Sequence, residues 1–382
     1  MRPERARLQD CVRPTRAEID LSKLRHNLGV LRRASRSPVW GVLKADAYGH
    51  GAKPLARTLE RAGIAGICVA LLEEAIELRD AGIRTPILVM GGFYGGAWSK
   101  LLEHQLTPVL FDPAQIEALA EEVRFTGASP MSVHIKIDTG MARLGATSSQ
   151  AHDLGATLLR HPEVKLEGLM THFACADTSV ESIGQQLNEF DVVTAKLTAL
   201  GLEAPIRHAA NSAAVFRSER SHLNMTRPGI ALFGVEPAAG MAAQLKPVMK
   251  VRSEFSALRE IREGNSVGYG ASWTAKRTSR IGTLPIGYAD GLPRSLSNRG
   301  HVLVRGKRAP IVGTVSMDMT MIDVTEIENV GMADEVVVLG EQTGPLGSDE
   351  ITAREIADHS GTIAWEILTN ISRRVPRFLR EP

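Results

Sequence analysis

The segment with the clearest chemical potential runs from residue 38 to residue 51 and reads Pro-Val-Trp-Gly-Val-Leu-Lys-Ala-Asp-Ala-Tyr-Gly-His-Gly. Its first half is an apolar run with β-branched residues, of the length expected for a buried strand. Lys44 follows this run and precedes a glycine-rich turn at Gly49 and Gly51. Burial at a strand end disfavours the charged amine and lowers its pKa, which makes the amine a nucleophile. A lysine that extends its amine into solvent is the alternative, and this segment alone does not separate the two.

Alternating strand and helix patterns surround Lys44 through the first two thirds of the chain. Apolar runs of strand length recur, and each is followed by a stretch with helical spacing. This alternation, with about eight strands, favours a (β/α)8 barrel over a doubly wound sheet. The predicted strands are 39–43, 66–70, 86–90, 107–111, 132–138, 166–171, 205–209 and 225–233.

The ends of these predicted strands carry most of the candidate chemistry, because the functional face of such a barrel lies at the strand C-termini. Short polar groups and free amides after the last two strands suit a phosphate, and a lysine beside a phosphate site predicts pyridoxal 5'-phosphate (PLP) held as a Schiff base. Singly, each residue also has a structural explanation, such as a surface ion pair or a helix cap. Their shared position favours a functional site. The candidates are Lys44, Tyr48, Lys136, Arg143, His172, His208, Asn211, Ser212, Arg227, Gly229 and Ile230.

A second domain is indicated by a change in composition after Gly234. Val- and Ile-rich runs separated by turns predict a mainly β domain over 239–382, and helical spacing is confined to 351–359 and 363–370. The barrel domain is predicted over 1–238, with a linker at 237–240 and a short strand at 17–21.

Composition bounds the class of protein. The net charge of +2 is too small to indicate a nucleic-acid partner. Three widely spaced cysteines form neither a disulfide framework nor a metal pattern, which is typical of the reducing cytoplasm. The Arg-rich residues 1–16 lack the apolar core of a secretory signal, and no apolar run reaches the ~20 residues that cross a bilayer. We therefore expect a cytoplasmic enzyme without a metal, membrane or nucleic-acid partner.

The motif at 44–51, Lys-Ala-Asp-Ala-Tyr-Gly-His-Gly, resembles the cofactor-lysine signature of the alanine racemase family, whose members are fold type III PLP enzymes with a TIM-type barrel. The similarity continues in order through 136–143, 171–177, 208–214, 223–234, 267–270, 284–291 and 313–324, nearly the whole chain. The resemblance implies PLP-dependent interconversion of L-alanine and D-alanine, with D-alanine used for peptidoglycan.

The resemblance also implies a two-base mechanism. Lys44 matches the lysine that carries the cofactor and acts on the D-side proton, and Tyr269, in Val267-Gly-Tyr-Gly270, matches the tyrosine of the opposite face. In the family this tyrosine comes from the partner subunit, so a homodimer with shared active sites is expected. One acid/base group on each face is the simplest way to invert a stereocentre.

Further roles follow from the resemblance. His172 is expected to contact Tyr269 and Arg227, and Arg227 to face the pyridine nitrogen of the cofactor. Lys136 matches a lysine that is carbamylated in many members, and the carbamate would hold Arg143 against the substrate carboxylate. Met317 and Asp318 match residues near the substrate of the partner subunit, although core packing is an alternative for the methionine. The expected phosphate or cofactor contacts are Tyr48, Asn211, Ser212, Gly229, Ile230 and Tyr288.

Three positions depart from the usual pattern: Arg373 replaces a common tyrosine, Ser316 a common cysteine, and Trp273 another aromatic residue. The change at Arg373 puts the limits on substrate size in question. A broader racemase of serine or basic amino acids is therefore an alternative. A fold-related decarboxylase is disfavoured by Tyr269 and Arg227, and a non-catalytic cofactor-binding barrel by the presence of a second domain.

Overall fold

The chain folds into two compact units, seen in a computed structural model that describes residues 12–93, 95–238, 240–241 and 243–381. The barrel unit comprises Leu24–Ala47 and Ala52–Lys246. The β unit comprises residues 12–23, Tyr48–Gly51 and residues 247–381. Cys11, most of the Arg-rich N-terminal segment and Ala239 of the predicted linker lie outside the described residues.

The elements follow one another as strand–helix repeats and then mostly as strands. The first group is β1 (Arg16–Asp20), α1 (Leu21–Ala34), β2 (Trp40–Val42), the single turn α2 (Lys44–Tyr48), α3 (Ala52–Arg61), β3 (Gly66–Val69), α4 (Leu72–Asp80), β4 (Ile87–Val89), α5 (Trp98–Glu103), β5 (Thr107–Leu110), α6 (Pro113–Thr126), β6 (Met131–Lys136), α7 (Ala151–Arg160), β7 (Val164–Met170), α8 (Val180–Ala199), β8 (Ile206–His208) and α9 (Ser212–Arg217). The second group is β9 (Met249–Glu254), β10 (Ala257–Ile261), β11 (Ser266–Val267), β12 (Trp273–Thr274), β13 (Ser279–Leu284), β14 (His301–Val304), β15 (Lys307–Pro310), β16 (Thr320–Asp323), β17 (Glu335–Gly344), β18 (Gly347–Ile351), α10 (Ala353–Ser360), α11 (Ala364–Asn370) and β19 (Arg377–Arg380).

The barrel unit is built on seven parallel strands in the order β2 to β8. Two parallel bridges, Val39–Thr226 and His208–Met225, place a short eighth strand between the last strand and the first. The barrel predicted from the strand–helix alternation is confirmed. The strand predicted at 225–233 is wrong beyond its first residues, because Pro228 lacks a backbone donor and Ile230–Phe233 form a 3-10 helix.

The barrel strands are apolar because helices cover the sheet on its outer face and side chains fill its interior. All residues of β3 and of β4 are buried. The helix boundaries follow local signals. Asp112 caps α6 by accepting a hydrogen bond from the backbone N–H of Ala114, Pro113 occupies the first turn, and Gly127 ends the helix in a left-handed conformation. Among the described residues, no helix has the combined length and hydropathy that a bilayer crossing requires.

The β unit contains a sheet in the order β15-β14-β17-β9-β1-β19, with β18 paired to β17, and a three-stranded sheet β10-β13-β16. The N-terminal strand β1 lies inside the first of these sheets, antiparallel to β9 and parallel to β19. The β unit therefore includes residues 12–23 and Tyr48–Gly51, which lie within the range 1–238 predicted for the barrel domain. Sequence order did not show this, because a strand reaches its partners through the tertiary fold.

Candidate active site

Lys44 begins a turn of unusual hand. The four residues after it, Ala45, Asp46, Ala47 and Tyr48, have φ angles of 53°, 51°, 55° and 53°. In this left-handed helical conformation the Cβ atom of an L-residue crowds the following carbonyl oxygen, at a cost of roughly 1–2 kcal/mol per residue. Four such residues store several kcal/mol, and the turn persists only because its surroundings fix it.

Hydrogen bonds within the barrel unit hold this turn. The Ala47 N–H donates to the Leu43 carbonyl at 2.9 Å. The Asp46 carboxylate accepts from the Ala52 N–H at 2.6 Å, and the Glu74 carboxylate accepts from the Ala45 N–H at 2.6 Å. The backbone on which Lys44 is mounted is therefore fixed by side chains as well as by its own turn.

Ala45→Gly is expected to stabilise the protein by about 1 kcal/mol, because glycine adopts positive φ without the Cβ clash and Ala45 is exposed. Thermal unfolding of the two proteins measures the difference. Ala195→Gly is the matched control, since Ala195 is exposed inside the right-handed helix α8, where the same change should destabilise by about 1 kcal/mol. A loss of stability in Ala45→Gly equal to that of the control would contradict strain in this turn.

Cationic side chains surround Lys44 at the mouth of the barrel. Burial, reinforced by the charge of Arg143, lowers the pKa of Lys44, and the Glu74 carboxylate opposes that shift. Burial, with the charges of Arg143 and Arg227, lowers the pKa of Lys136 to about 8. The mouth therefore combines a surplus of positive charge with two lysines that lose their protons more easily than lysine in water.

His172 lies in the same field of positive charge. Its pKa falls well below the usual histidine value, first through burial and then through the charges of Arg227, Arg143 and the two mouth lysines. The imidazole is therefore neutral near pH 7. The charge of Arg227 acts on this imidazole, and the expected contacts of His172 with Arg227 and with Tyr269 of the partner subunit stay predictions.

Arg227 is buried and is held by a different histidine. Its guanidinium donates to Nδ1 of His208 at 2.6 Å and to the carbonyls of Thr171 and Ala209 at 2.9 and 3.2 Å. Nε2 of His208 lies 2.7 Å from Nδ1 of His134. Arginine only donates, so Nδ1 of His208 must accept and its Nε2–H must donate to His134. Burial and the charge of Arg227 depress the pKa of His208, which keeps this order of donors and acceptors fixed.

The chain of histidines ends at a carboxylate. Nε2 of His134 faces Oε2 of Glu167 at 3.6 Å, and the nearby imidazole lowers the pKa of Glu167. The buried charge of Arg227 is thus connected through two imidazoles to a half-exposed anion. This arrangement fixes the orientation of a guanidinium that has no direct carboxylate partner among the described residues.

The predicted phosphate site has the geometry of an anion cradle. The Asn211 side chain caps α9 by accepting from the Ala214 N–H at 3.0 Å. The Ser212 hydroxyl accepts from the backbone N–H groups of Gly229 and Ala231 at 2.9 and 3.3 Å, which joins the two predicted segments. Of the described groups, none accepts from the N–H of Ser212 or of Ile230. Free amides and a hydroxyl proton at one place suit a phosphate.

The remaining predicted residues lie in the β unit, within one neighbourhood. The Tyr269 carbonyl accepts from the Thr314 hydroxyl at 3.0 Å, and the Tyr288 N–H donates to the Ser316 carbonyl at 3.0 Å. Tyr269 is 77% exposed and Met317 52% exposed, so Met317 is not a core residue of its own unit. The backbones of both tyrosines are therefore hydrogen-bonded to the segment 314–317, and both side chains are exposed on this chain.

Asp318 does not present a free carboxylate. It accepts from the Arg374 guanidinium at 2.6 Å. Buried Asp290 is paired with Arg13 at 2.7 Å and accepts from the Gly287 N–H at 3.0 Å, just before Tyr288. These pairs fix the backbone beside the exposed tyrosine.

The barrel unit thus brings together the predicted barrel residues other than Tyr48. The other predicted residues belong to the β unit, which includes Tyr48 through the segment Tyr48–Gly51. Sequence analysis assigned no role to His208, although it noted its strand-end position, and it missed Glu74. A signal for Glu74 exists, since a glutamate at the third position of a helix often accepts from the N-cap backbone N–H, as here from Leu71, but that signal does not predict a bond to the Lys44 turn.

A closed (β/α)8 barrel with a strand-end lysine and an anion cradle, followed by a mainly β unit, defines a class of two-domain barrel enzymes. The family model for the alanine racemase N-terminal domain matches residues 19–237, and that for the C-terminal domain matches residues 248–379. The chain belongs to the alanine racemase family, and the resemblance drawn from its motifs is confirmed.

Relatives with known names support this assignment over the full length. The chain is 58% identical over 379 residues to an alanine racemase of Sorangium cellulosum, covering 97% of this chain and 100% of that protein. It is 42% identical to an alanine racemase of Symbiobacterium thermophilum, covering 97% and 98%. Among solved structures, alanine racemase from Streptomyces coelicolor A3(2) matches with a TM-score of 0.92 and 36% identity, covering 98% of this chain and 100% of that chain. Alanine racemase from Streptomyces lavendulae matches with a TM-score of 0.91 and 34% identity, covering 97% and 98%.

Proposed function

We propose that this protein is a PLP-dependent alanine racemase that interconverts L-alanine and D-alanine, with Lys44 as cofactor lysine and base. The observation that carries the proposal is the position of Lys44 after the barrel strand β2 with cationic Arg143 nearby, in a chain whose residues 19–237 and 248–379 match the two family models. A cytoplasmic location and a role in supplying D-alanine for peptidoglycan are part of the proposal.

The residues present fit PLP. The free N–H groups of Ser212 and Ile230 and the Ser212 hydroxyl would hold the phosphate, Lys44 would bond the aldehyde carbon, and Arg227 would face the ring nitrogen. When bound, PLP withdraws electrons from the substrate α-carbon and makes its proton more acidic. Arg227 donates a hydrogen bond but does not release its proton, so it would leave the ring nitrogen unprotonated and disfavour side reactions that need a strong electron sink.

Two groups would move the proton. The lowered pKa of Lys44 increases the fraction of its amine that is neutral at a given pH. The neutral amine would accept a proton from one face of the substrate. The Tyr269 hydroxyl would serve the other face. Arg143, beside Lys44 and Lys136 in the cation cluster, is placed to bind the substrate carboxylate.

A homodimer is part of the same proposal. Tyr269, Tyr288 and Met317 are exposed on a single chain, with Tyr269 77% exposed, and the first two bond to the segment 314–316. Exposed aromatic and methionine side chains in one region are typical of a surface that a partner covers. We place Tyr269 in the active site of the partner subunit, with Met317 and Asp318 near its substrate.

We also propose a carbamate on Lys136. Its neutral amine adds to carbon dioxide to give an N-carboxylate and a proton, and Arg143 and Arg227 would stabilise the new anion. Because only the neutral amine reacts, the rate of carbamate formation should rise with pH through about 8, the pKa of Lys136.

Nuclear magnetic resonance with 13C-labelled bicarbonate tests this modification. We expect a carbamate signal in the wild-type protein and none in Lys136→Arg, which keeps the charge but does not form the adduct. Lys165→Arg, at an exposed lysine of β7, should keep the signal. A wild-type spectrum without the signal at pH 8 to 9 would refute the carbamate.

Purified protein loaded with PLP and supplied with L-alanine tests the function, with D-alanine measured by D-amino-acid oxidase. Exposed Arg373, in place of the tyrosine common in the family, supports broader specificity as the second candidate. Serine, lysine and arginine are therefore assayed in parallel, and released carbon dioxide is measured to detect decarboxylation. Failure to form D-alanine from L-alanine would overturn the proposal.

A further inference from the structure

We propose that Glu74 is a positioning residue that holds the left-handed turn after Lys44 and thereby sets the position of the Lys44 amine. This inference rests on the proposed function of Lys44. It assigns to Glu74 a role through the backbone of its neighbour, without contact to substrate or cofactor.

The two oxygens of Glu74 bind two different segments. Oε1 accepts from the Ala45 N–H at 2.6 Å, and Oε2 accepts from the N–H groups of Ala70 and Leu71 at 2.8 and 3.0 Å. The strands that lead into these segments, β2 and β3, are neighbours in the barrel, with Val42 opposite Cys68. The carboxylate therefore bridges the carboxyl ends of two adjacent strands.

Only part of this pattern is helix capping. Glu74 is the third residue of α4, and the bonds from Ala70 and Leu71 belong to the cap of that helix. The bond from Ala45 lies outside α4 and is not part of its cap. It fixes the peptide plane between Lys44 and Ala45, and that plane sets the direction in which the lysine side chain leaves the backbone.

The strain of the turn gives this bond its importance. Ala45, Asp46 and Ala47 all have positive φ, so a released turn would relax toward the right-handed or extended region. Relaxation would change ψ at Lys44 and move its amine. A displacement of about 1 Å in a reacting group costs about 10²-fold in rate.

The charge of Glu74 adds a separate electrostatic effect. The groups that act on the Lys44 amine are Glu74, which favours the ammonium, and cationic Arg143, which disfavours it. Lys136 and His172 also couple to Lys44. Removing the Glu74 charge should therefore lower the pKa of Lys44 further and shift the acid limb of the pH–rate profile to lower pH.

Glu74→Gln tests both effects in the PLP-loaded enzyme. The amide keeps one acceptor oxygen but presents a donor to the other segment, so one anchor is lost with the charge. We expect kcat to fall by about 10–100-fold with KM nearly unchanged, and the acid limb to move to lower pH. Glu73→Gln is the matched control, because Glu73 is exposed in the same helical turn and its substitution removes the same charge.

Glu74→Asp separates the effect of side-chain length from the effect of the negative charge. The shorter side chain keeps the negative charge but does not span both anchors, so kcat should fall while the acid limb stays near its wild-type position. A thermal unfolding curve for each variant confirms that the barrel is folded. Equal kcat in Glu74→Gln and Glu73→Gln would overturn the inference.

Amide hydrogen exchange supplies a readout that does not depend on catalysis. In cofactor-free protein, the peptide containing residues 45–48 should exchange about tenfold faster in Glu74→Gln than in wild type or Glu73→Gln, because its bridging acceptor is lost. Unchanged exchange would overturn the inference even if activity falls. If wild type itself does not racemise alanine, the proposed function fails, and exchange still decides whether Glu74 holds the turn.

Discussion

Replacing Lys44 with alanine is expected to lower kcat/KM for alanine racemisation by about 10⁴-fold or more, in both directions. The change removes the only proposed covalent anchor of the cofactor and one of the two proposed bases, and each contribution alone is typically large. Initial rates from L-alanine and from D-alanine, measured at saturating PLP, check the effect. The absorbance spectrum of the bound cofactor should change as well, because the bond to the lysine is absent.

Lys165→Ala is the control for this experiment. Lys165 is an exposed lysine of β7 in the same barrel unit, and its loss should leave the rate within twofold or so, as expected for a surface substitution. Lys44→Arg adds a stricter comparison, because it keeps a positive charge at the barrel mouth but has no amine to bond the cofactor. Racemisation by Lys44→Ala at a rate near wild type would exclude Lys44 as the base.

Tyr269→Phe is expected to reduce racemisation by about 10²–10⁴-fold, because it removes one acid/base group and keeps the ring. The side chain is 77% exposed in the single chain, so the loss of its hydroxyl should change the stability by less than about 0.5 kcal/mol. An unfolding curve like that of wild type, together with the loss of rate, would separate a chemical effect from a folding defect.

Mixing the two inactive variants tests whether the site is shared between subunits. If Tyr269 serves the partner, a dimer of one Lys44→Ala chain and one Tyr269→Phe chain has one site with both changes and one site with neither. Random exchange of subunits should restore roughly a quarter of wild-type activity. Each variant mixed with itself is the control. No recovery under conditions in which mass spectrometry detects mixed dimers would place both bases in one chain.

Much of the barrel was predictable because its signal is local and repeated. Parallel strands that are covered on both faces have continuous apolar runs in the sequence. The helices between them have helical spacing and capping residues, as Asp112 and Gly127 show for α6. The eighth strand was predicted too long, since the apolar residues Ile230–Phe233 also suit a 3-10 helix. The apolar residue types predict that this segment is buried, but they do not distinguish a strand from a 3-10 helix.

The strand β1 shows a second limit. Its residues Ala17 and Ile19 are fully buried, and a short strand was predicted there. Its partners, β9 and β19, lie far away in sequence. The choice of sheet depends on which edges the rest of the chain leaves open, and no local pattern contains that information.

The candidate site divides in the same way. Lys44, Arg227 and the segments around Ser212 and Ile230 were predicted because their residue types and strand-end positions suit the chemistry. The role of His208 in holding Arg227 was not predicted. Only the packing of neighbouring strands brings His208, rather than His172, within 2.6 Å of the guanidinium.

By itself, the sequence determined the barrel, the mainly β unit, the family and the position of Lys44 at a strand end, because burial periodicity and motif order are properties of the linear chain. Only the tertiary structure decided how Lys44 is mounted. The left-handed turn over Ala45–Ala47 contains no glycine, so its backbone strain has no local signal. Its bond to Glu74 exists because β2 and β3 end side by side, a proximity that folding alone creates.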